Sequence, residues 1–412
     1  MSWLIAFFTI SGVSFTFWCT VGLVRFFTES VLPPKKRGRY PRVSPDRVAA
    51  IVPAHNEELC IARTLRALKK VVPRTHIFVG SDASTDRTAD IVVREGCHVL
   101  EINPNKGKAG VLVTLIGQFR IVERFDAMII VDADTELDSH YLENALPYFD
   151  DPQVVAVAGH AVTRWEPHTF PRWPYFFTAY RVRLYCVLQA LMRYAQTWKY
   201  TNVTSIVPGF ASMYRTHVLP KIDIAAKGMI IEDFNMTFEL QKKKLGKVAY
   251  HPSIFGTCQD PFTFRDYVKQ VKRWNLGFWQ TVRRHGVWPS FFWLALGLFL
   301  IEMFIYSFFL LGLPLFLIGF LFTGFAPIEV PFPEGIPLEL TLNFQDLFMG
   351  VFVMDYALTV IVAVFERKPL LLVYGLGFLV LRYIDVFLYV LTFPLAFIVK
   401  STGQWKSPAR KG

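Results

Sequence analysis

The residues best equipped to do chemistry in this chain are carboxylates that come abruptly after apolar runs. Met128 to Val131 ends in Asp132-Ala133-Asp134. Two carboxylates one residue apart at a strand end can direct oxygen ligands toward a hard cation, which in turn neutralises a diphosphate leaving group. A plain surface turn has the same composition, and the nearby Asp138 either assists the pair or caps the next turn. Farther on, Ile230-Ile231 leads into Glu232-Asp233. A carboxylate there can take the proton from an attacking hydroxyl, a role worth roughly 10² to 10⁴ in rate, although paired acids also suit a helix N-terminus.

Four further clusters carry polar groups at the ends of apolar runs. In Val52-Pro53-Ala54-His55-Asn56-Glu57-Glu58, small and polar residues (Pro53, Ala54, Asn56, Glu57) either shape a nucleotide-base pocket or form a loop with a helix cap. Gly80-Ser81-Asp82-Ala83-Ser84-Thr85-Asp86 places Asp82 where it can accept from a base or ribose, with Asp86 suited to capping the next helix. Asn105-Lys106-Gly107-Lys108-Ala109 offers two positive charges, Lys106 and Lys108, around a glycine. That is a loop able to hold a diphosphate, or a solvated charge run. In Gln270-Val271-Lys272-Arg273-Trp274, Gln270, Arg273 and Trp274 fall at i, i+3 and i+4 and share a helix face. Arginine pairs with phosphate and tryptophan can floor a sugar ring, while a membrane-surface aromatic belt is the plainer alternative.

These clusters need a frame. From Arg47 onward, short β-branched runs alternate with helical stretches: Val48 to Val52, Glu58 to Lys69, His76 to Val79 and Asp86 to Arg94, with further strands expected at Ala127 to Val131 and Val154 to Ala158. Strands spaced by helices imply a mostly parallel sheet with ligands at the carboxyl ends of its strands, where the clusters fall. Cys19, Cys60, Cys97, Cys186 and Cys258 form no CxxC pair and read as free thiols in a reducing compartment rather than a zinc site.

The middle of the chain reads as a domain between membrane anchors. Hydrophobic residues make up 53% of the 412 and mean hydropathy is +0.33, but runs of spanning length lie only near the N-terminus and beyond about Ser290. Ser2 to Val24 reads as a retained anchor followed by Arg25 and by Lys35, Lys36, Arg37 and Arg39; Arg283 and Arg284 precede the later runs. Much of the net charge of +11 thus flanks apolar segments as cytoplasmic flanks do, and no nucleic-acid recognition pattern accompanies it. Phe262 to Trp288 mixes aromatics and cations as a membrane-surface helix does. Three apolar runs come next, Phe291 to Phe322, Phe344 to Phe365 and Leu370 to Val399, the first two separated by the Pro-rich, acidic Pro327 to Glu339. Three crossings leave the C-terminus outside, whereas Lys400, Lys406, Arg410 and Lys411 favour the inside; the last run, carrying Arg382 and Asp385, re-enters in one arrangement that resolves the conflict.

Taken in order, these motifs from Val48 to Trp288 resemble the signature of processive family 2 glycosyltransferases, the cellulose, chitin, hyaluronan and poly-N-acetylglucosamine synthases. The resemblance implies an α/β GT-A fold, Rossmann-like and mostly parallel, in the cytosol, with flanking transmembrane helices and an interfacial helix. It implies a nucleoside diphosphate sugar donor, Mg²⁺ or Mn²⁺ as cofactor, membrane lipids as neighbours and no nucleic-acid partner. By the same resemblance Asp233, beside Glu232, matches the general base, and Asp134 with Asp132 the metal ligands. Asp82 matches the base or ribose contact, and Gln270, Arg273 and Trp274 the QxxRW motif near diphosphate and acceptor. Pro208-Gly209-Phe210-Ala211 is similar to the acceptor-lining loop, and Gly403 to Pro408 to the tail of poly-N-acetylglucosamine synthases. The expected organisation is an anchor at 1–27, a basic linker at 28–46, the GT-A domain at 47–261, the interfacial helix at 262–290, a transmembrane region at 291–400 and a basic tail at 401–412. A single N-terminal span, where many such synthases have more, leaves processivity and a complete export channel open. Two catalytic readings are compatible with the motifs: inverting extension of a polysaccharide at the plasma membrane, or addition of one sugar to a membrane lipid as in ceramide glucosyltransferases. A non-catalytic membrane scaffold would not need Asp134 and Asp233.

Overall fold

The computed structural model describes residues 12–31, 43–165, 172–330 and 340–399. The Lys35 to Arg39 cluster, the tail from Lys400 and much of the Pro327 to Glu339 loop lie outside the described residues.

After the N-terminal helix α1 (Val13–Val31), the chain alternates strands with helices: β1 (Val48–Ala54), α2 (Ile61–Leu68), β2 (Ile77–Asp82), α3 (Thr88–Arg94), β3 (His98–Ile102), α4 (Gly107–Gln118) and β4 (Ala127–Val131). β5 (Glu136–Leu137), β6 (Val154–Thr163), β7 (Ala211–Arg215) and β8 (Lys247–Cys258) complete one eight-stranded sheet of order β3-β2-β1-β4-β7-β6-β8-β5. β1, β2, β3 and β4 are mutually parallel, as are β6 and β8, while β7 and β5 run against their neighbours.

Burial on both faces explains why β1 reads as an unbroken apolar run rather than an alternating one. Val48, Ala50 and Val52 join one core with Ile61, Leu65 and Leu68 of α2. Ala49 and Ile51 point the other way, into a second core with Val111, Leu112 and Leu115 of α4. The carboxyl ends of β1, β2 and β4 therefore emerge side by side between helix layers, and the chain there must turn through polar loops.

Beyond the sheet lie α5 (Tyr175–Tyr185), α6 (Glu232–Lys242), α7 (Phe264–His285), α8 (Phe291–Phe322), α9 (Met354–Phe365) and α10 (Phe378–Ile398). Among the described residues three helices are long and apolar enough to cross a membrane: Phe291–Phe322, Phe344–Phe365 and Phe378–Ile398. The last apolar run is not one continuous helix. It opens with a short helix, Leu371–Gly375, and resumes as α10.

α7 joins the two parts of the molecule. Its Gly277 lies against Ile231 so closely that a Cβ there would come 2.7 Å from the Ile231 side chain. Gln280 Oε1 accepts from Ile230 N at 3.2 Å, just ahead of α6. On its other side Arg283 donates to the Ala396 carbonyl of α10 at 2.7 Å, and Tyr267 and Val271 share a core with Phe177 and Tyr180 of α5 and Phe378, Leu381 and Leu388 of α10.

The charges among the apolar helices are paired, but not as their sequence proximity suggests. Arg382 bonds to Asp355, which also takes Arg183 Nη1 at 2.7 Å. Asp385, three residues from Arg382, instead accepts from the hydroxyls of Tyr180, at 2.8 Å, and Tyr267. Arg25 belongs to the body of the protein rather than to a solvated flank: α1 runs past the expected anchor boundary to Val31, and Arg25 is buried over the Tyr194 ring, 4.0 Å from its centroid. At the other end of α1, the Glu302 carboxylate of α8 accepts from Ser14 N at 2.9 and 3.0 Å, satisfying an amide that the first turn of a helix leaves unbonded.

Removing the central acid of the buried triad leaves two arginines uncompensated. Asp355→Ala is expected to destabilise the protein by about 3–5 kcal/mol, read as a fall in Tm in detergent. Replacing the triad together (Asp355→Leu, Arg183→Met, Arg382→Met) recovers part of that loss.

Candidate functional site

The loops at the carboxyl ends of β1 and β2 are latched to each other. His55 Nδ1 lies 2.6 Å from the Asp82 carbonyl, and Asn56, held at φ +54°, accepts from Thr85 N at 2.8 Å through Oδ1. Glu57 is fully buried and its amide donates to Thr88 Oγ1 at 2.8 Å. Pro53 and Ala54 form the last rungs of β1, opposite Gly80 and Ser81. Asp82 is also fully buried, and its two carboxylate oxygens accept from Lys106 N (2.8 Å) and Gly107 N (2.9 Å) at the start of α4, where the helix dipole favours a negative charge. Asp82 thus holds the third loop in place. Asp86 and Asp138 cap local turns: Asp86 accepts from Glu58 N and Thr88 N, Asp138 from His140 N.

Lys106 points outward and is exposed, whereas Lys108 points inward. The Lys108 ammonium lies 2.7 Å from Asp132 Oδ1 and 3.0 Å from Glu232 Oε1, and donates to the Gly209 carbonyl at 2.9 Å. Burial opposes this charge, but Asp132 and Glu232 outweigh it and raise the lysine above its ordinary value. One cation therefore gathers the β4 terminus, the start of α6 and the loop before β7. Gly209 is required by this crowding, since a Cβ there would come 2.9 Å from both Glu232 Oε1 and Lys108 Nζ.

Asp233 sits beside this knot, half-buried at the first turn of α6. Its Oδ1 accepts from Phe234 N at 2.7 Å and its Oδ2 from Gly209 N at 3.2 Å. Burial, reinforced by Glu232, raises its pKa above the ordinary carboxylate range against the pull of Lys108 and the two amides.

The turn after β4 is fixed from two sides: Asp132 N donates to the Phe210 carbonyl at 3.2 Å, and Thr64 Oγ1 of α2 to the Ala133 carbonyl at 2.7 Å. Asp132 and Asp134 are both half-buried. Among the described residues no third protein ligand completes a metal cluster with them. Asp132 Oδ1 is buried and lies against the ammonium without hydrogen-bond geometry. Two hard oxygen donors with room for phosphate and water suit Mg²⁺ or Mn²⁺, which seldom take an all-protein cage.

On α7, Gln270 and Trp274 face inward and Arg273 is exposed. Gln270 and Trp274 meet a residue that belongs to no sequence motif, Arg181 of α5, fully buried and 2.8 Å from Gln270 Oε1. Asp260 is likewise absent from the expected site. It lies just beyond β8, buried, and burial and Asp134 push it up to about 7 against Arg181 and a hydrogen bond from Tyr185. Its only sequence signal is an isolated acid before Pro261, and Arg181 has none beyond a charge inside an aromatic stretch.

Residues 45–277 match the family model described as "Glycosyltransferase like family 2". The chain is 25% identical over 246 residues to "Probable glycosyltransferase YdaM" of Bacillus subtilis, covering 56% of this chain and 55% of that one. It is 26% identical over 257 residues to hyaluronan synthase of Streptococcus pyogenes, covering 57% of each. The chain thus spans a little over half the length of these curated relatives. Among solved structures, a mannosyltransferase of Pyrobaculum calidifontis in complex with GDP-Man and Mn²⁺ superposes with a TM-score of 0.51 at 18% identity, over 91% of this chain and 97% of that one. That likeness carries the GT-A-like fold across chain regions well beyond the sheet. The matched family segment begins just before β1 and runs through the QxxRW residues of α7, more than half of the protein, and the chain belongs to the family 2 glycosyltransferases.

Proposed function

We propose that this glycosyltransferase moves a sugar, with inversion, from a nucleoside diphosphate sugar of the UDP class onto a growing polysaccharide at the cytosolic face of the plasma membrane, coupled to export. The observation that carries the reading is the Lys108 contact set, which brings Asp132 at the end of β4 against the Glu232-Asp233 pair of α6. The match to hyaluronan synthase supports a polymeric product, and the GDP-Man and Mn²⁺ of the Pyrobaculum structure support a metal and a nucleotide-linked donor.

In this reading Pro53, Ala54, Asn56, Glu57 and Asp82 frame the nucleoside, with Asp82 acting chiefly by fixing the α4 loop. Lys106 and Lys108 face the diphosphate, and Asp132 and Asp134 hold Mg²⁺ or Mn²⁺. A cation bound there supplies charge neutralisation for the departing diphosphate. Asp233 is aimed by the Gly209 and Phe234 amides, which leaves its outer lone pairs for the acceptor hydroxyl. Its raised proton affinity makes it a stronger base than a solvated carboxylate. Lys108 balances the negative charge of Glu232 and Asp132, so that Asp233 can ionise next to them. Gln270, Arg273 and Trp274 close the site from α7. No enzyme nucleophile is required for attack from the opposite face.

Single-sugar transfer to a membrane lipid is the second reading, and one observation favours it. Arg172, Trp173, Phe176, Val373, Tyr374 and Gly377 line a cavity of about 240 Å³ beside the apolar helices, where Trp173 is 70% exposed and stacks on Phe176 at 5.3 Å. That is a surface an acyl chain can enter.

Purified protein incubated with radiolabelled UDP-sugars or GDP-mannose and Mn²⁺ is expected to yield a glycosidase-sensitive polymer. A labelled lipid alone would replace the first reading with the second, and transfer from no nucleotide sugar would refute both. Asp233→Asn should lower turnover by roughly 10² to 10⁴, and chelation by EDTA should abolish it until Mg²⁺ or Mn²⁺ is restored.

The base must be deprotonated to act, so kcat/KM should fall as pH drops through the raised pKa of Asp233. A pH profile should place that limb above the ordinary carboxylate value of about 4. A limb at or below 4 would exclude Asp233 as the base.

A further inference from the structure

Arg181 of α5 lies outside every motif of the sequence, yet its side chain is spent almost wholly on the motif helix. It is 1% exposed. Its Nη2 donates to Gln270 Oε1 at 2.8 Å, and its guanidinium carbon lies 4.9 Å from the ring centroid of Tyr267 and 4.4 Å from that of Trp274. Tyr267, Gln270 and Trp274 succeed one another at i, i+3 and i+7, one face of α7. A planar guanidinium can donate in its plane while its faces lie on aromatic rings, which an ammonium cannot do. Burying such a charge is costly, and the acids that act on it, Asp385 and Asp260, do so through space as secondary influences.

From this geometry we infer that Arg181 is the positioning residue of the QxxRW motif. It fixes which way the Gln270 amide points and the plane of the Trp274 indole, and so presents both to the sugar-transfer site from a helix that carries no motif of its own. The donor bond locks the Gln270 oxygen toward α5 and leaves its NH₂ group directed elsewhere. The contact with the Trp274 ring holds the plane of the indole, and the contact with Tyr267 holds the guanidinium itself. α5 is in turn tied to α10 through Tyr180 and Asp385, which makes the setting of the motif sensitive to the seating of α5 on the membrane helices. The inference rests on the reading of Gln270 and Trp274 as part of the transfer site.

The test is a mutant cycle on the full-length protein, with Arg181→Lys, Gln270→Ala and the double variant, read as kcat, acceptor KM and Tm. Arg181→Lys keeps the charge and the buried stem but not the planar fork. It is expected to hold Tm within a few degrees and to lower kcat/KM at least tenfold. The double variant should lose clearly less than the product of the two single losses, because part of the effect of Arg181 passes through that amide and the rest through Trp274. Losses that multiply, or an Arg181→Lys enzyme within twofold of the parent, would overturn the inference; so would a loss of activity that only tracks Tm. Arg181→Met removes the charge as well, and if it fails to fold, the lysine variant still decides. Transfer by the parent protein is the separate check on the reading beneath: an inactive parent refutes that reading, whereas an active parent with additive variants refutes only the role of Arg181.

Discussion

One half-buried ammonium holds the catalytic half of this molecule together. Lys108 sits where β4, the loop before β7 and α6 converge, three segments far apart in sequence, and it contacts an oxygen from each. Without it, Asp132 and Glu232 would face each other across a poorly solvated gap with nothing to offset their repulsion. The lysine sets that spacing by attraction, and Gly209 leaves just enough room for it. Asp233 inherits its position from the same knot, because the Gly209 amide that it accepts from belongs to the residue whose carbonyl receives Lys108. The geometry of the acid pair is thus a property of three converging segments rather than of the Glu-Asp dipeptide.

The second constraint is the placement of α7 between the sheet domain and the apolar helices. Gly277 brings it onto Ile231 at the threshold of the acid pair, and Arg283 ties it to the end of α10. A shift of the membrane helices would therefore reach the Glu232-Asp233 pair through one rigid element. Arg283 reaches α10, Gln270 and Trp274 meet Arg181 of α5, and Tyr267 touches both through Asp385 and Arg181.

Much of this was legible in the sequence wherever a physical pattern was local. Strand β4 and its acids stand out because five buried apolar residues stop abruptly at Asp132, and the three later apolar helices are evident from length and hydropathy. The alternation of β1 and β2 with α2 and α3, together with the β4 run, pointed to the parallel half of the GT-A-like fold, although β3 was not read. β8 was not foreseen, since His251, Pro252 and Ser253 interrupt its apolar run, and neither was the antiparallel β7, whose five residues show no distinctive period. Contacts between distant segments carried no local signal at all. The motif around Lys108 was visible, but not that its ammonium turns inward to two acids while Lys106 turns out. Arg382 and Asp385 read as neighbours on one helix and are bonded to different partners, and Arg181 was hidden within a run of aromatics.

Glu302 has a bearing on how the protein is made. The amide of Ser14 near the start of α1 finds its acceptor 288 residues later, in the middle of α8. While the ribosome is still producing the sheet domain, that helix end has no partner of its own chain. Arg25 can dock α1 on Tyr194 and Tyr250 as the catalytic domain completes its cores, but the Ser14 end is satisfied by Glu302 only once the next long apolar helix has emerged. Seating of the first turn of α1 is in this respect a late step, and a truncation before Glu302 would leave Ser14 without that acceptor.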